Sequence, residues 1–157
     1  MSKIIIGLDP GIADTGYGVI ICDKGRYECL EYGSIKTPAK LSLSERLEML
    51  DLELAKIISK HKPSIAAVEH LFFNKNVKTA LIVGQARGVI LLNLKKNKIK
   101  LFEFTPSQIK QSVAAYGKAS KKQVQKMVKL ILKLEELPQP DDAADALAVA
   151  ICSSNLK

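Results

Sequence analysis

The chain has 157 residues, 47% hydrophobic and 25% charged, which suits one domain (1–157) with a core of its own. No uninterrupted apolar run approaches the roughly 18 residues that span a membrane, and Met-Ser-Lys-Ile leads into a strand without a signal-peptide layout. The net charge of +8 points to an anionic partner, and three cysteines without ligand spacing exclude a cysteine metal site and fit a reducing, cytoplasmic setting.

Taken in chain order, Lys3–Asp9 reads as a buried strand, because Ile4-Ile5-Ile6 lacks polar alternation. Pro10-Gly11 and Gly16 punctuate the loop that follows. A second strand covers about Tyr17–Cys22, Asp23-Lys24-Gly25 turns the chain, and a third strand runs to Ile35. Ser42 and Glu45 form a capping box for a helix ending near His61, with Leu43, Leu47, Leu50, Leu54, Ile57 and Ile58 on one face. His61 sits where a helix end favours a cation and needs no other role.

Ser64–Glu69 is a short fourth strand. A second helix spans Val77 to about Lys95, with Ala80, Gly84, Ala86 and Gly88 leaving part of its surface flat. Lys100–Phe104 is the fifth strand. Thr105-Pro106 starts a helix, Gly117 interrupts it, and Ser120 begins another that continues to about Leu134. The final helix runs from about Asp142 to Ser153. This order implies one α/β domain: a five-stranded mixed sheet with helices on both faces.

Four carboxylates stand at element ends. Asp9 closes the first strand, Glu69 closes the fourth, and Asp142 and Asp145 open the last helix. If strands one and four are parallel neighbours, about 4.8 Å apart, Asp9 and Glu69 emerge together and need a cation between them. Asp142 and Asp145 share a helical face at i, i+3, though Asp141 pairs with Asp145 at i, i+4 equally well. Oxygen ligands without His or Cys favour Mg2+ or Mn2+ over zinc, and two such ions can drive phosphodiester hydrolysis. The positive charge is concentrated: Lys95 to Lys133 holds eleven lysines and one acid, Glu103. Acids at strand ends beside a basic block suggest nucleic acid held by lysines and processed at carboxylates.

At these residues the chain resembles the RuvC family of Holliday junction resolvases, within the ribonuclease H-like superfamily. The resemblance rests on Gly7-Leu8-Asp9-Pro10-Gly11, Thr15-Gly16-Tyr17-Gly18, Val68-Glu69-His70-Leu71-Phe72, Gly84-Gln85-Ala86-Arg87-Gly88-Val89 and Asp142-Ala143-Ala144-Asp145-Ala146-Leu147-Ala148, in order along almost the whole chain. It implies a ribonuclease H-like fold and Asp9, Glu69, Asp142 and Asp145 as catalytic metal ligands, leaving Asp141 as a helix cap. It further implies a homodimeric, Mg2+-dependent endonuclease that nicks four-way junction DNA symmetrically, with Mn2+ as a substitute metal and two ions per site. Its nicks are ligatable, and RuvA and RuvB are its branch-migration partners. Asp14, His70 and Asp141 depart from residues common in relatives.

The resemblance also places Lys110 and Lys121 near the scissile phosphate, with Lys121 in a catalytic role and Lys118 and Lys122 on the DNA backbone. Phe72 matches an aromatic that stacks on bases, while Phe73 fits core packing as well as DNA contact. Lys75 and Lys78 belong to the same DNA-facing segment. Arg87 is read as structural, at a dimer seam. Rival readings are a kinase-like ATPase, for which 157 residues leave no second lobe, a non-catalytic DNA-binding protein, and a related nuclease acting on another nucleic acid.

Overall fold

A computed structural model describes residues 1–70 and 76–156 of the protein. Strand β1 (Lys3–Asp9) carries branched side chains on both faces, and Ile5, Ile6 and Leu8 are fully buried. It pairs antiparallel with β2 (Asp14–Asp23), which pairs antiparallel with β3 (Arg26–Lys36). On its other side β1 pairs parallel with β4 (Ile65–Glu69), which pairs parallel with β5 (Lys100–Phe104). The sheet order is therefore β3-β2-β1-β4-β5. Lys24 and Gly25 close the β2–β3 hairpin with φ of 49° and 79°, both positive as a tight primed turn requires.

Helices cover both faces, as expected from the order of elements. On one face lie α1 (Leu43–His61) and α2 (Val77–Lys96), whose Leu50, Leu54, Ala86 and Ile90 pack with Ile6, Leu8 and Val19. On the other lie α3 (Pro106–Ala114), α4 (Lys121–Leu132) and α5 (Asp141–Ser154), whose Val113, Val128 and Leu147 pack with Ile5, Ile20 and Ala67. Capping boxes start α1 at Ser42–Glu45, α3 at Thr105–Gln108 and α4 at Ser120–Gln123. His61 meets Glu31 at 2.7 Å, tying the end of α1 to β3.

Three boundaries differ from the sequence reading. The second strand begins at Asp14 rather than near Tyr17, so Gly16 is a strand residue and not loop punctuation. A Cβ on Gly16 would overlap the backbone of Asp142, so the glycine serves a close approach of α5 to the sheet. Helix α4 stops at Leu132, where Lys133 adopts a left-handed φ of 53°. Helix α5 begins at Asp141, not Asp142.

Helix α2 is long and apolar enough by composition to cross a membrane, although no uninterrupted apolar run in it reaches that length. Gln85, Arg87 and Asn93 break the run. Asn93 donates to the Asp51 carbonyl and carboxylate at 3.2 and 2.8 Å, and Ala86, Ile90 and Leu94 enter the core. Packing against α1 and the sheet accounts for part of this apolarity, while Val77, Leu81 and Leu92 stay exposed.

Candidate metal and nucleic-acid site

Parallel pairing of β1 and β4 ends with Leu8 opposite Val68, so Asp9 and Glu69 emerge side by side at the carboxyl ends of adjacent central strands. Such strand ends are where open α/β sheets bind ligands. Helix α5 arrives over the same edge, because Gly7, Gly16 and Gly18 leave the β1–β2 surface flat beneath it. Its first turns deliver Asp142 and Asp145. Oxygens of Asp9, Asp142 and Asp145 all lie within 4.8 Å of one another. That is a hard-oxygen set suited to a divalent cation such as Mg2+ or Mn2+.

Glu69 stands beside this triad rather than inside it. It lines a cleft of about 260 Å³ with Lys110, Lys121 and Asp145, over an apolar floor of Ile109, Val124 and Ala148. On its other side a cleft of about 200 Å³ is lined by Asp9, His70, Val83 and Arg87. Asp9 shares a side-chain hydrogen bond with Asp142.

Gathering acids out of water disfavours their charged forms. Burial pushes Asp9 up to about 8, helped by the charges of Asp145 and Asp142, the hydrogen bond to Asp142, and Glu69. Glu69 is raised by burial and by Asp145, against the opposing charge of Lys110. Burial also raises Asp145, against the opposing pull of Lys121. For Lys121 itself burial acts downward, but Asp145 and Asp141 outweigh it and hold the ammonium pKa above its ordinary value.

These shifts set a pH dependence. In the folded protein Asp9 keeps its proton to about 8, whereas in the unfolded chain it loses it near 3.8. Its contribution to stability is full below the unfolded value and declines as pH rises toward 8, by at most about 1.4 kcal/mol per pH unit. In chelator, the melting temperature should therefore fall between pH 5 and pH 8. Added Mn2+ should restore it more at pH 8 than at pH 5, since a cation replaces the protons. Calorimetric melts across this range check both trends; a chelated protein more stable at pH 8 would contradict them.

Lys121 lies 3.5 Å from Asp145 and 3.6 Å from Asp141, bridging the two carboxylates. Asp141 also accepts from the Gln125 side chain at 3.2 Å. The expectation that Asp141 caps the helix is corrected: Pro140 occupies the cap position, no side chain caps it, and Asp141 is the first helical residue. As the first helical residue, Asp141 does not cap the helix, and its carboxylate faces Lys121.

The structure thus gathers Asp9, Glu69, Asp142, Asp145, Lys110 and Lys121. Lys118 and Lys122 are exposed beside Lys121, and Lys78 is exposed in the first turn of α2. Phe72, Phe73 and Lys75 lie outside the described residues. Asp14 accepts from Ser34 at 2.8 Å and is not among the clustered acids. The sequence reading makes Arg87 structural at a dimer seam and Glu103 only the lone acid of the basic block, and ties neither to Glu69. Arg87 reaches the main-chain oxygen of Glu69, and the one signal for Glu103 was its position as the single acid among eleven lysines.

A family model described as crossover junction endodeoxyribonuclease RuvC matches residues 5–153. Curated proteins of that name from Halothermothrix orenii and Ruminiclostridium cellulolyticum are 53% and 54% identical over 152 residues, covering 97% of this chain and 92% of each relative. The structure of T. thermophilus RuvC in complex with a Holliday junction substrate matches with a TM-score of 0.91 at 32% identity, covering 96% of this chain and 92% of that one. The yeast mitochondrial Holliday junction resolvase Ydc2, 14% identical with a TM-score of 0.68 over 96% of this chain and 77% of its own, shares the fold. With a full-length family match and relatives this similar, the chain belongs to the RuvC family of crossover junction endodeoxyribonucleases.

Proposed function

We propose that the protein is a structure-selective endodeoxyribonuclease that resolves Holliday junctions in recombination and repair. It nicks two strands of like polarity symmetrically and leaves ends that a ligase can seal. The observation that carries this reading is the convergence of Asp9, Asp142 and Asp145 on one point, in a chain of this family. Residues 1–157 act as a single nuclease domain.

In this reading Asp9, Glu69, Asp142 and Asp145 hold Mg2+, or Mn2+ in its place, as two ions per site. Ions held there supply a water-derived nucleophile and charge neutralisation at the leaving oxygen. The protein's own groups do the rest. Asp142 and Asp145 lie in the first turns of α5, where the positive end of the helix dipole tolerates their charge. Lys110 and Lys121 stand at the mouth of the cleft beside Glu69, placed to face a phosphate and stabilise charge that grows on it. Lys78, Lys118 and Lys122, with Phe72, Phe73 and Lys75, contact the DNA.

The protein works as a homodimer. Val77, Leu81 and Leu92 are 68%, 60% and 56% exposed along one side of α2, and Gly88 among them has open space above it. A second copy seated on that stripe would remove this apolar surface from water. Two sites related by the dimer axis suit symmetric nicking. RuvA and RuvB are the branch-migration partners, and the compartment is the cytoplasm, which agrees with three unpaired cysteines.

The test is cleavage of a synthetic four-way junction with Mg2+, with Mn2+ and with EDTA, beside a linear duplex and an RNA–DNA hybrid. Paired, symmetric, ligatable nicks should appear only on the junction and only with metal. Preferential cutting of the hybrid would replace this reading with a ribonuclease H activity, and binding without cutting would reduce it to a DNA-binding role.

A further inference from the structure

We infer that Arg87 is a positioning residue that holds Glu69 at the metal site, with Glu103 as its counter-charge. The inference rests on the reading of Glu69 as a metal ligand and assigns the group that aims it.

Arg87 is only 9% exposed on the sheet-facing side of α2. One guanidinium nitrogen donates to the Glu69 main-chain oxygen at 2.7 Å, and the other donates to Glu103 at 2.6 Å. The second Glu103 oxygen lies 3.4 Å from His70 Nδ1, and the His70 amide donates to the Phe104 carbonyl at 2.8 Å. Glu69 is the last β4 residue in register with β5, opposite Phe104. The fork therefore grips the backbone at the point where the sheet ends.

A planar guanidinium fixes two acceptors in one geometry, which a lysine cannot do. A buried cation also needs a compensating charge, or its removal from water would not be offset. Glu103 supplies it, which gives a purpose to the single acid of an otherwise basic stretch. Holding the Glu69 carbonyl fixes the orientation of its Cα, and so the direction its side chain leaves the strand. Asp145 and Lys110 line the same cleft as Glu69, so the direction in which its side chain leaves the strand decides which of them it faces.

Groups that orient metal ligands in this way typically change metal affinity 10- to 100-fold when removed. The experiment compares wild type, Arg87→Gln, Arg87→Lys and Glu103→Gln in full-length protein. Mn2+ binding is titrated by calorimetry without DNA, and junction nicking is followed as a function of Mn2+ concentration. Arg87→Gln should raise the Mn2+ dissociation constant and the half-saturating Mn2+ concentration about tenfold. The rate at saturating metal should fall less, and Arg87→Lys should recover part of the affinity. Glu103→Gln, at a more accessible position, should move the same way by about threefold and serves if Arg87→Gln does not fold. Variants that melt earlier but bind Mn2+ like wild type would overturn the inference and leave Arg87 as packing alone. A wild type that binds Mn2+ without nicking junctions would instead defeat the proposed activity, while the calorimetric comparison would still judge the link to Glu69.

Discussion

Asp9→Asn will lose metal-dependent junction cleavage by about a thousandfold or more, about 4 kcal/mol of barrier, and yet will melt at a higher temperature than wild type in chelator at neutral pH. Both results follow from one arrangement. Asp9 is the acid on which the other three charges converge, and burial has already raised it furthest toward neutrality. An amide keeps the shape of the side chain and removes the anionic ligand, so the cation is lost without a cavity being made. With no proton to retain, the variant escapes the cost that wild-type Asp9 carries as pH rises above about 4. Each kcal/mol recovered is worth about 3 °C in a chain of this size. Junction affinity should persist, because a negative charge has been removed from a basic surface. Nicking within tenfold of wild type would remove Asp9 from the chemistry. Loss of junction binding together with cleavage would make it a structural residue.

Gly7→Ala should be the most damaging single methyl in the protein. Its Cβ would overlap the Ala146 carbonyl oxygen and come within 2.9 Å of both the Ala150 Cβ and its amide nitrogen. These are main-chain and first-carbon atoms of α5, so no rotamer change makes room. Helix α5 would have to lift off β1, a strand whose Ile5, Ile6 and Leu8 are wholly buried. Overpacking usually costs about 1–3 kcal/mol where side chains can adjust, and a rigid obstacle places this site at the upper end or beyond. The melting temperature should fall by about 10 °C, with loss of Mn2+ binding as Asp142 and Asp145 shift. Gly88→Ala is the control for the fold of the single chain, since nothing in it lies within 4 Å of the new methyl and alanine favours the helix. Equal melting temperatures for Gly7→Ala and wild type would show that α5 does not rest on β1 as described.

Local signals in the sequence located the elements well. Ser42, Thr105 and Ser120 announced their helices through side-chain capping, which acts within four residues and so is written in consecutive letters. The Ile-rich run of β1 was legible for the same reason, and the mixed sheet followed from the order of strands and helices. Gly16 was misread because a glycine in a turn and one beneath a packed helix look alike until the helix is known. At the site, the strand-end acids Asp9 and Glu69 could be paired from parallel strand geometry. Their unequal partnership with α5 could not, because it depends on how that helix crosses the sheet. The choice between Asp141 and Asp142 was open to spacing alone. Arg87 reads as structural, but its partners Glu69 and Glu103 stayed hidden because they lie on other elements and meet it only once α2 packs on the sheet.

The acids that meet at the sheet edge come from β1, β4 and α5, segments distant in the chain. Contacts of that kind form late, after long loops have closed. A molecule with its strands paired and α5 still undocked has two carboxylates instead of four and an open second core. The cutting centre is thus assembled by the same event that completes the fold. A nuclease built this way carries its full set of acids only when its last helix is in place.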